Sequence, residues 1–278
     1  MATIPYYRYS SAEGPAKDVY DDIMATYKAY NLKEPHGIYQ LMGHTPAFLA
    51  ASWRRSRHLY GGTPENMDAS LSLLTLKEKH LVTLGISATN NCEYCVRIHT
   101  TRLEQLKMTR DEQIELLMVV DVVNGYDKFV EGTRAGDDPV LPYADEDQDE
   151  AVRGIYEDIR RAHGNREAED VYRLMGHLPG YLAASWDRLR LSFFEEGALG
   201  LRTKHMVAFG VAAANSADYA VGIHSRRLKE IGLSDAEMVE LLLIVDLTCG
   251  YNRYVQGLQV APGETPNTVA RQSGATCG

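Results

Sequence analysis

Apolar residues recur at helical spacing along most of this chain. One run passes through Leu76, Leu81, Leu84 and Ala88, a second through Ile114, Leu117, Met118 and Val122, and a third through Val239, Leu242 and Leu243. Each run opens on a hydroxyl residue with glutamate three positions later: Thr75 with Glu78, Thr109 with Glu112, and Ser234 with Glu237. That spacing is a capping box, in which the hydroxyl oxygen accepts an early helix N–H and the glutamate reaches back to the cap. No stretch sustains period-two alternation between hairpin turns, so the predicted fold class is all-α. Apolar residues cover most of Leu116–Val123 and Leu241–Leu247, which predicts two helices at a bundle centre or in an oligomer seam.

The pattern is also written twice. Residues 38–53 read IYQLMGHTPAFLAASW and residues 171–186 read VYRLMGHLPGYLAASW, identical at 11 of 16 positions. Ile4-Pro5-Tyr6 matches Leu141-Pro142-Tyr143, Lys79-His80 matches Lys204-His205, Ile98-His99 matches Ile223-His224, and Gly125-Tyr126 matches Gly250-Tyr251. The chain therefore reads as a tandem duplication of one helical unit. Repeat 1 covers 1–132, a Gly-, Pro- and acid-containing linker 133–140, and repeat 2 141–260. The tail 261–278 has no apolar period and is expected to be disordered.

The 278 residues are 45% hydrophobic and 24% charged, with net charge -9, which excludes global disorder and leaves no basic stretch for a nucleic acid. No apolar run approaches a membrane span, and the first ten residues lack the order of a secretory signal, so a cytoplasmic protein with no membrane partner is expected. Four cysteines in a chain this long do not make a disulfide framework. Cys249 falls in an apolar helical pattern and reads as a small buried hydrophobe, while Cys277 reads as an incidental exposed thiol.

The other two cysteines carry the candidate chemistry. Asn90-Asn91 is expected to close one helix and the next to start near Cys92, which places Cys92, Cys95 and His99 on one helical face. Helix N-terminal N–H groups favour a thiolate, and a histidine one turn beyond Cys95 can exchange its proton. Three readings fit: a redox dithiol, a zinc site completed by His80, or two buried thiols beside a satisfied histidine. Repeat 2 has Ala217 and Ala220 where repeat 1 has Cys92 and Cys95, so the fold does without the thiols. His80 and His99 recur as His205 and His224, so a structural role for them stays open. His44 and His177, in LMGH-x-P, read as capping or core residues, Trp53 and Trp186 as core, and Tyr126 and Tyr251 as packing or pocket-lining groups.

The stretch Leu76–His99, LKEKHLVTLGISATNNCEYCVRIH, resembles the alkylhydroperoxidase AhpD-like and carboxymuconolactone decarboxylase superfamily, and the likeness extends over both repeats. The resemblance implies an all-helical oligomer, here a trimer of two-repeat chains imitating a hexamer. It also implies a peroxidase in which Cys95 attacks a small hydroperoxide, Cys92 resolves it as a disulfide, and His99 belongs to a proton relay. The superfamily's relay glutamate sits twelve residues before the first cysteine, and that position here is His80; Glu78 lies on another helical face. The expectation is a thiol-dependent peroxidase or disulfide oxidoreductase using Cys95, Cys92, His99 and His80, reduced by a dithiol and needing no cofactor or metal. The alternative is a decarboxylase or lyase using the histidines for acid–base work on a small molecule.

Overall fold

The computed structural model describes residues 2–61, 72–134, 140–143, 150–164, 170–195 and 197–260. The expected tail, Cys277 and most of the linker lie outside them. Among the described residues the chain forms twelve α-helices and no strand. In chain order these are α1 (Gly14–Thr26), α2 (Gly37–Met42), α3 (Pro46–Tyr60), α4 (Leu76–Thr89), α5 (Glu93–Gln105), α6 (Arg110–Thr133), α7 (Glu150–Ala162), α8 (Asp170–Met175), α9 (Pro179–Phe193), α10 (Leu201–Ala214), α11 (Asp218–Ile231) and α12 (Asp235–Gly257). Two of the capping boxes are complete. Thr75 Oγ1 accepts the Glu78 N–H at 3.2 Å while Glu78 accepts the Thr75 N–H at 2.8 Å, and Thr109 and Glu112 repeat this at 3.2 and 2.7 Å. α12 starts one residue after Ser234.

The helices form two compact units that do not coincide with the sequence repeats. One takes the chain through Leu106 together with the chain from Asp235 onward, and the other is Lys107–Ser234. The first unit thus holds α1–α5 and α12, the second α6–α11. Each repeat's long last helix packs with the body of the other repeat: α12 on α4 and α3, α6 on α10 and α9. The turns before these helices use the left-handed region, at Lys107 (φ 59°) and Gly232 (φ 99°).

α6 and α12 are half central. Leu116, Val119 and Val123 on α6, and Leu241, Ile244 and Leu247 on α12, are buried. Of the positions singled out by the apolar pattern, Val122 is buried as well, whereas Ile114, Leu117, Val239, Leu242 and Leu243 are each more than 40% exposed. Period alone cannot say which of two apolar faces meets the core.

Each last helix also supplies a glutamate. Glu240 accepts the N–H groups of Leu73 and Leu74 at 2.7 and 3.0 Å and pairs with Lys79 Nζ at 2.5 Å, with Lys79 fully buried. Glu115 does the same for Ala198, Leu199 and Lys204 in the second unit, at 2.7, 2.9 and 3.3 Å. Burial pushes the Lys79 ammonium down and disfavours the Glu240 carboxylate as well, but Lys79 and the two N–H groups outweigh this and hold Glu240 low. With so many donors on one carboxylate, the pair is ionised.

The repeated LMGH segment has a packing cause. Tyr20, wholly buried, sends its hydroxyl to the Tyr7 carbonyl at 3.0 Å, and a Cβ on Gly43 would sit 2.0 Å from that oxygen. Gly176 stands in the same relation to Tyr156, at 2.3 Å. Gly43→Ala should therefore destabilise the first unit by about 1–3 kcal/mol through overpacking, read as a lowered urea midpoint. An unchanged midpoint would show that Tyr20 moves aside freely.

His44 and His177 correct the sequence reading, being neither core nor caps. Both are exposed, α3 and α9 have no side-chain cap bond, and the imidazole Nε2 atoms bond the carbonyls of Pro5 (2.7 Å) and Leu141 (2.9 Å). Each ties the start of its repeat to the turn before a helix. Trp53 and Trp186 are core as expected, and each indole N–H donates to an aspartate, Asp22 and Asp158, at 2.6 Å. Cys249 is half-buried rather than core, with the Asn90 amide 3.7 Å from its sulfur.

Candidate active site

The dithiol forms where α4 stops and α5 begins. Asn91 adopts the left-handed conformation (φ 54°), which turns the chain so that the Cys92 N–H donates to the Ser87 carbonyl at 2.9 Å. Cys92 is the N-cap of α5 and Cys95 lies in its first turn. Both are free thiols, 2% and 6% exposed. The Cys95 thiol hydrogen-bonds the Cys92 sulfur, which lowers the pKa of Cys92. The same bond, together with burial, raises Cys95. The pair therefore loses its first proton from Cys92, the sulfur nearer the helix N-terminus and under the influence of Arg253.

α12 brings the group that steadies this pair. Asn252, with no exposed surface, lies beside the pair, and its amide lowers both thiols. Its amide nitrogen donates to Ser87 Oγ at 3.2 Å and its oxygen accepts from Asn90 at 3.2 Å. Asn252→Asp would put a second acid against the dithiol. Alkylation of Cys92 near neutral pH is then expected to slow about tenfold, the effect of one pKa unit. An unchanged alkylation rate would remove Asn252 from the site.

Cys95, His80 and His99 line one cavity of about 80 Å³ in the first unit. His80 Nδ1 lies 2.9 Å from His99 Nδ1, so one ring donates and the other accepts. Tyr60 stacks on His80 with centroids 5.0 Å apart, and its hydroxyl meets Thr83 Oγ1 at 2.5 Å. Burial pushes His99 down to about 3 and His80 well below its ordinary value, so both rings are neutral at physiological pH. Arg102 also lines the cavity, a buried guanidinium lying 3.8 Å from the Tyr30 ring centroid and bonded to Gln105 Oε1 (2.8 Å) and His36 Nε2 (3.2 Å). His36 Nδ1 is buried without a hydrogen-bond partner.

All four residues expected from the sequence come together here, Cys92 lying behind Cys95. The helical spacing pointed His99 at Cys95; the two share the cavity, but the Nδ1 bond of His99 goes to His80. Glu78 is spent on the Thr75 cap and takes no part. Among the described residues no group of three or more His, Cys, Asp or Glu side chains is placed to hold a metal ion. Asn252, Tyr60, Arg102 and His36 were missed. Only Asn252 carried a signal, being next to the matched Gly250-Tyr251 pair.

The sequence profile of the carboxymuconolactone decarboxylase family matches residues 60–138 and 181–262, more than half the chain and once in each repeat. The chain belongs to this family. No curated protein matches it in sequence. A proposed gamma-carboxymuconolactone decarboxylase subunit from Burkholderia xenovorans shares its fold, with a TM-score of 0.65 at 19% identity over 89% of this chain and 95% of that one. So does an AhpD-core, peroxidase-related protein from Ralstonia eutropha, with a TM-score of 0.51 at 12% identity over 95% and 93% of the two chains. An AhpD core from Rhodospirillum rubrum is 26% identical over 45% of this chain and 94% of its own, with a TM-score of 0.43.

In this two-repeat member of the carboxymuconolactone decarboxylase family, the second unit keeps the frame of the site without its sulfur. Ser216 (φ 57°) repeats the turn of Asn91, and Ala217 caps α11 at φ -91°, ψ 81° where Cys92 has φ -92°, ψ 83°. The local fold therefore does not need the thiols. His205 Nδ1 lies 3.1 Å from His224 Nδ1, and Phe193 stacks on His205 as Tyr60 does on His80. The position of Asn252 is taken by Asp127 on α6, which accepts the Asn215 amide at 2.8 Å. Burial raises Asp127 to about 6, and burial lowers His205 to about 4.

Proposed function

We propose that the first unit is a dithiol oxidoreductase that reduces small hydroperoxides. The observation that carries this reading is the placement of Cys95 in the wall of the His80–His99 cavity, with Cys92 hydrogen-bonded behind it. A hydroperoxide in the cavity meets Cys95 first. The Cys92 thiolate takes the Cys95 proton as the Cys95 sulfur attacks the terminal peroxide oxygen. The O–O bond breaks, the sulfur becomes a sulfenic acid, and the alcohol leaves after gaining a proton. Cys92 then displaces the hydroxyl, which departs as water with the Cys92 proton, and an S–S bond forms. The two electrons come from the two sulfurs, and a dithiol reductant restores them by exchange in a reducing, cytoplasmic setting. The neutral His80–His99 pair, one donor and one acceptor, is suited to pass a proton to the leaving alkoxide. Arg102 favours the negative charge that develops there.

A cavity of about 80 Å³ has room for only a few water-sized groups, which supports hydrogen peroxide or a short alkyl hydroperoxide as substrate. One equivalent of hydroperoxide should convert the reduced protein to the Cys92–Cys95 disulfide, seen as loss of two hydrogens by mass spectrometry. Persistence of both thiols would sink the reading.

A second reading rests on the recurrence of the histidine pair as His205–His224 where no thiol exists. Acid–base chemistry of a decarboxylase or lyase type needs histidines and not sulfur. Activity on a small carboxylated ring that survives Cys92→Ser/Cys95→Ser but not His80→Ala would select it. In either reading the exposed apolar residues Val239, Leu242 and Leu243 favour self-association, and a trimer is the expected state by light scattering.

A further inference from the structure

The second unit contains a cavity of about 350 Å³, more than four times that beside Cys95 and within the usual range of small-molecule sites. Ala217 and Ala220, the counterparts of the two cysteines, lie in its wall, so some of the space is where sulfur would be. Most of the lining is apolar, with Val123, Phe193, Phe194 and Ile223 among it. This cavity differs from the first in chemistry as well as size. An aspartate, Asp127, stands where the first unit has Asn252. Its Oδ2 is taken by Asn215, which also bonds the Asn124 oxygen at 2.9 Å.

We propose that this cavity is a second, thiol-free binding site for an uncharged, ring-sized apolar molecule carrying a hydroxyl or N–H that donates to Asp127. Lys128, Glu131, Arg134 and Asp218 also line the cavity, but all four are exposed and their charges balance, with Lys128 paired to Glu131. The more buried charges then decide against ionic ligands. The Asp127 carboxylate repels a ligand carboxylate. The Arg227 guanidinium is already engaged, by Glu230 at 3.0 Å and His163 Nδ1 at 2.8 Å, and its positive charge in the wall disfavours a cation. His205 and His224, neutral and bonded to each other, offer no charge of either sign. What is left is a mainly aromatic and aliphatic interior in which Asp127 is the buried carboxylate. A neutral donor can satisfy it, and an unmet acceptor in such a place is costly. This goes beyond the dithiol reading and does not depend on it.

Titration calorimetry of the full chain with p-cresol, p-xylene and 4-methylbenzoate tests the proposal, the three probes being alike in size. The cresol should bind at least tenfold more tightly than either of the others. Ala220→Leu, which narrows the chamber, should weaken cresol at least tenfold. Asp127→Asn should weaken cresol at least tenfold; its fold is safeguarded because the Asn90–Asn252 pair shows that asparagine fits this position. Both variants should keep the Cys92 and Cys95 alkylation rates of the unaltered protein. No heat from cresol at millimolar concentration, equal affinity for the xylene or the benzoate, or cresol binding unchanged by either substitution would overturn the proposal.

Discussion

Cys95→Ser is expected to abolish hydroperoxide turnover, with a loss on the order of a thousandfold or more, because nothing else in the cavity wall can take the peroxide oxygen. Cys92→Ser should behave differently. Its Cys95 can still be oxidised, more slowly for want of the neighbouring thiolate, but the chemistry stops at the sulfenic acid. A single equivalent of hydroperoxide would then be consumed and the product trapped by dimedone at Cys95. Hydroperoxide consumption in the presence of dithiothreitol reads Cys95→Ser, and oxidation by one equivalent without added thiol, followed by mass spectrometry, reads Cys92→Ser. Trapping at Cys92 in the Cys95→Ser protein would reverse the order of the sulfurs. The two sulfurs make that a sharp question, since Cys92 holds the lower pKa whereas Cys95 alone lines the cavity. Because the pair ionises below the ordinary thiol range, the rate of the first step should persist below that range and fall only at more acid pH.

Glu240→Ala is expected to destabilise the first unit by about 3–5 kcal/mol, the cost of leaving a buried ammonium without its counter-ion. Lys79 has no exposed surface, and Glu240 is also the acceptor for two N–H groups leading into α4, the helix that carries His80. Urea unfolding in a Trp186→Phe background, where Trp53 reports the first unit alone, measures the effect. Replacing both partners, as Lys79→Met/Glu240→Leu, should restore much of the loss by removing the stranded charge. Equal instability of the single and double variants would show that the N–H bonds, not the ion pair, matter. The pH dependence follows from the sign of the shift. Glu240 is held below the ordinary carboxylate range when folded, so its contribution is present above the unfolded carboxylate pKa and is lost as pH falls through the lowered folded value. Glu240→Ala should therefore flatten part of the acid limb of the stability curve. Glu115→Ala should cost less, as that carboxylate is 20% exposed.

Much of the site was readable along the chain because it is local. The Asn90-Asn91 turn, the helix start at Cys92 and the Cys95–His99 spacing are separated by fewer than ten residues, and backbone preference alone sets their geometry. His80 was reachable through its twelve-residue offset from Cys92. Arg102 and Tyr60 were not. An arginine in a helix and a tyrosine before a loop have no sequence mark that tells a cavity wall from a surface. The exposed series Ile114, Leu117, Val239, Leu242 and Leu243 could not be told from the buried face for a related reason, since helical period gives the faces but not their partners.

The sequence by itself determined the all-helical class, the duplication, and the confinement of the dithiol to one copy. These follow from hydrophobic period and from identity between the repeats, and neither depends on how helices meet. The tertiary structure alone decided that α12 closes the dithiol unit and α6 the other. The two helices are equivalent in sequence and present equivalent apolar faces, so a helix of either repeat satisfies the same groove, and the path of the chain settles which one does. That exchange sets Asn252, not Asp127, against Cys92 and Cys95, where an acid would hold protons on the thiols. It leaves Asp127 in a chamber without sulfur, where burial raises it to about 6.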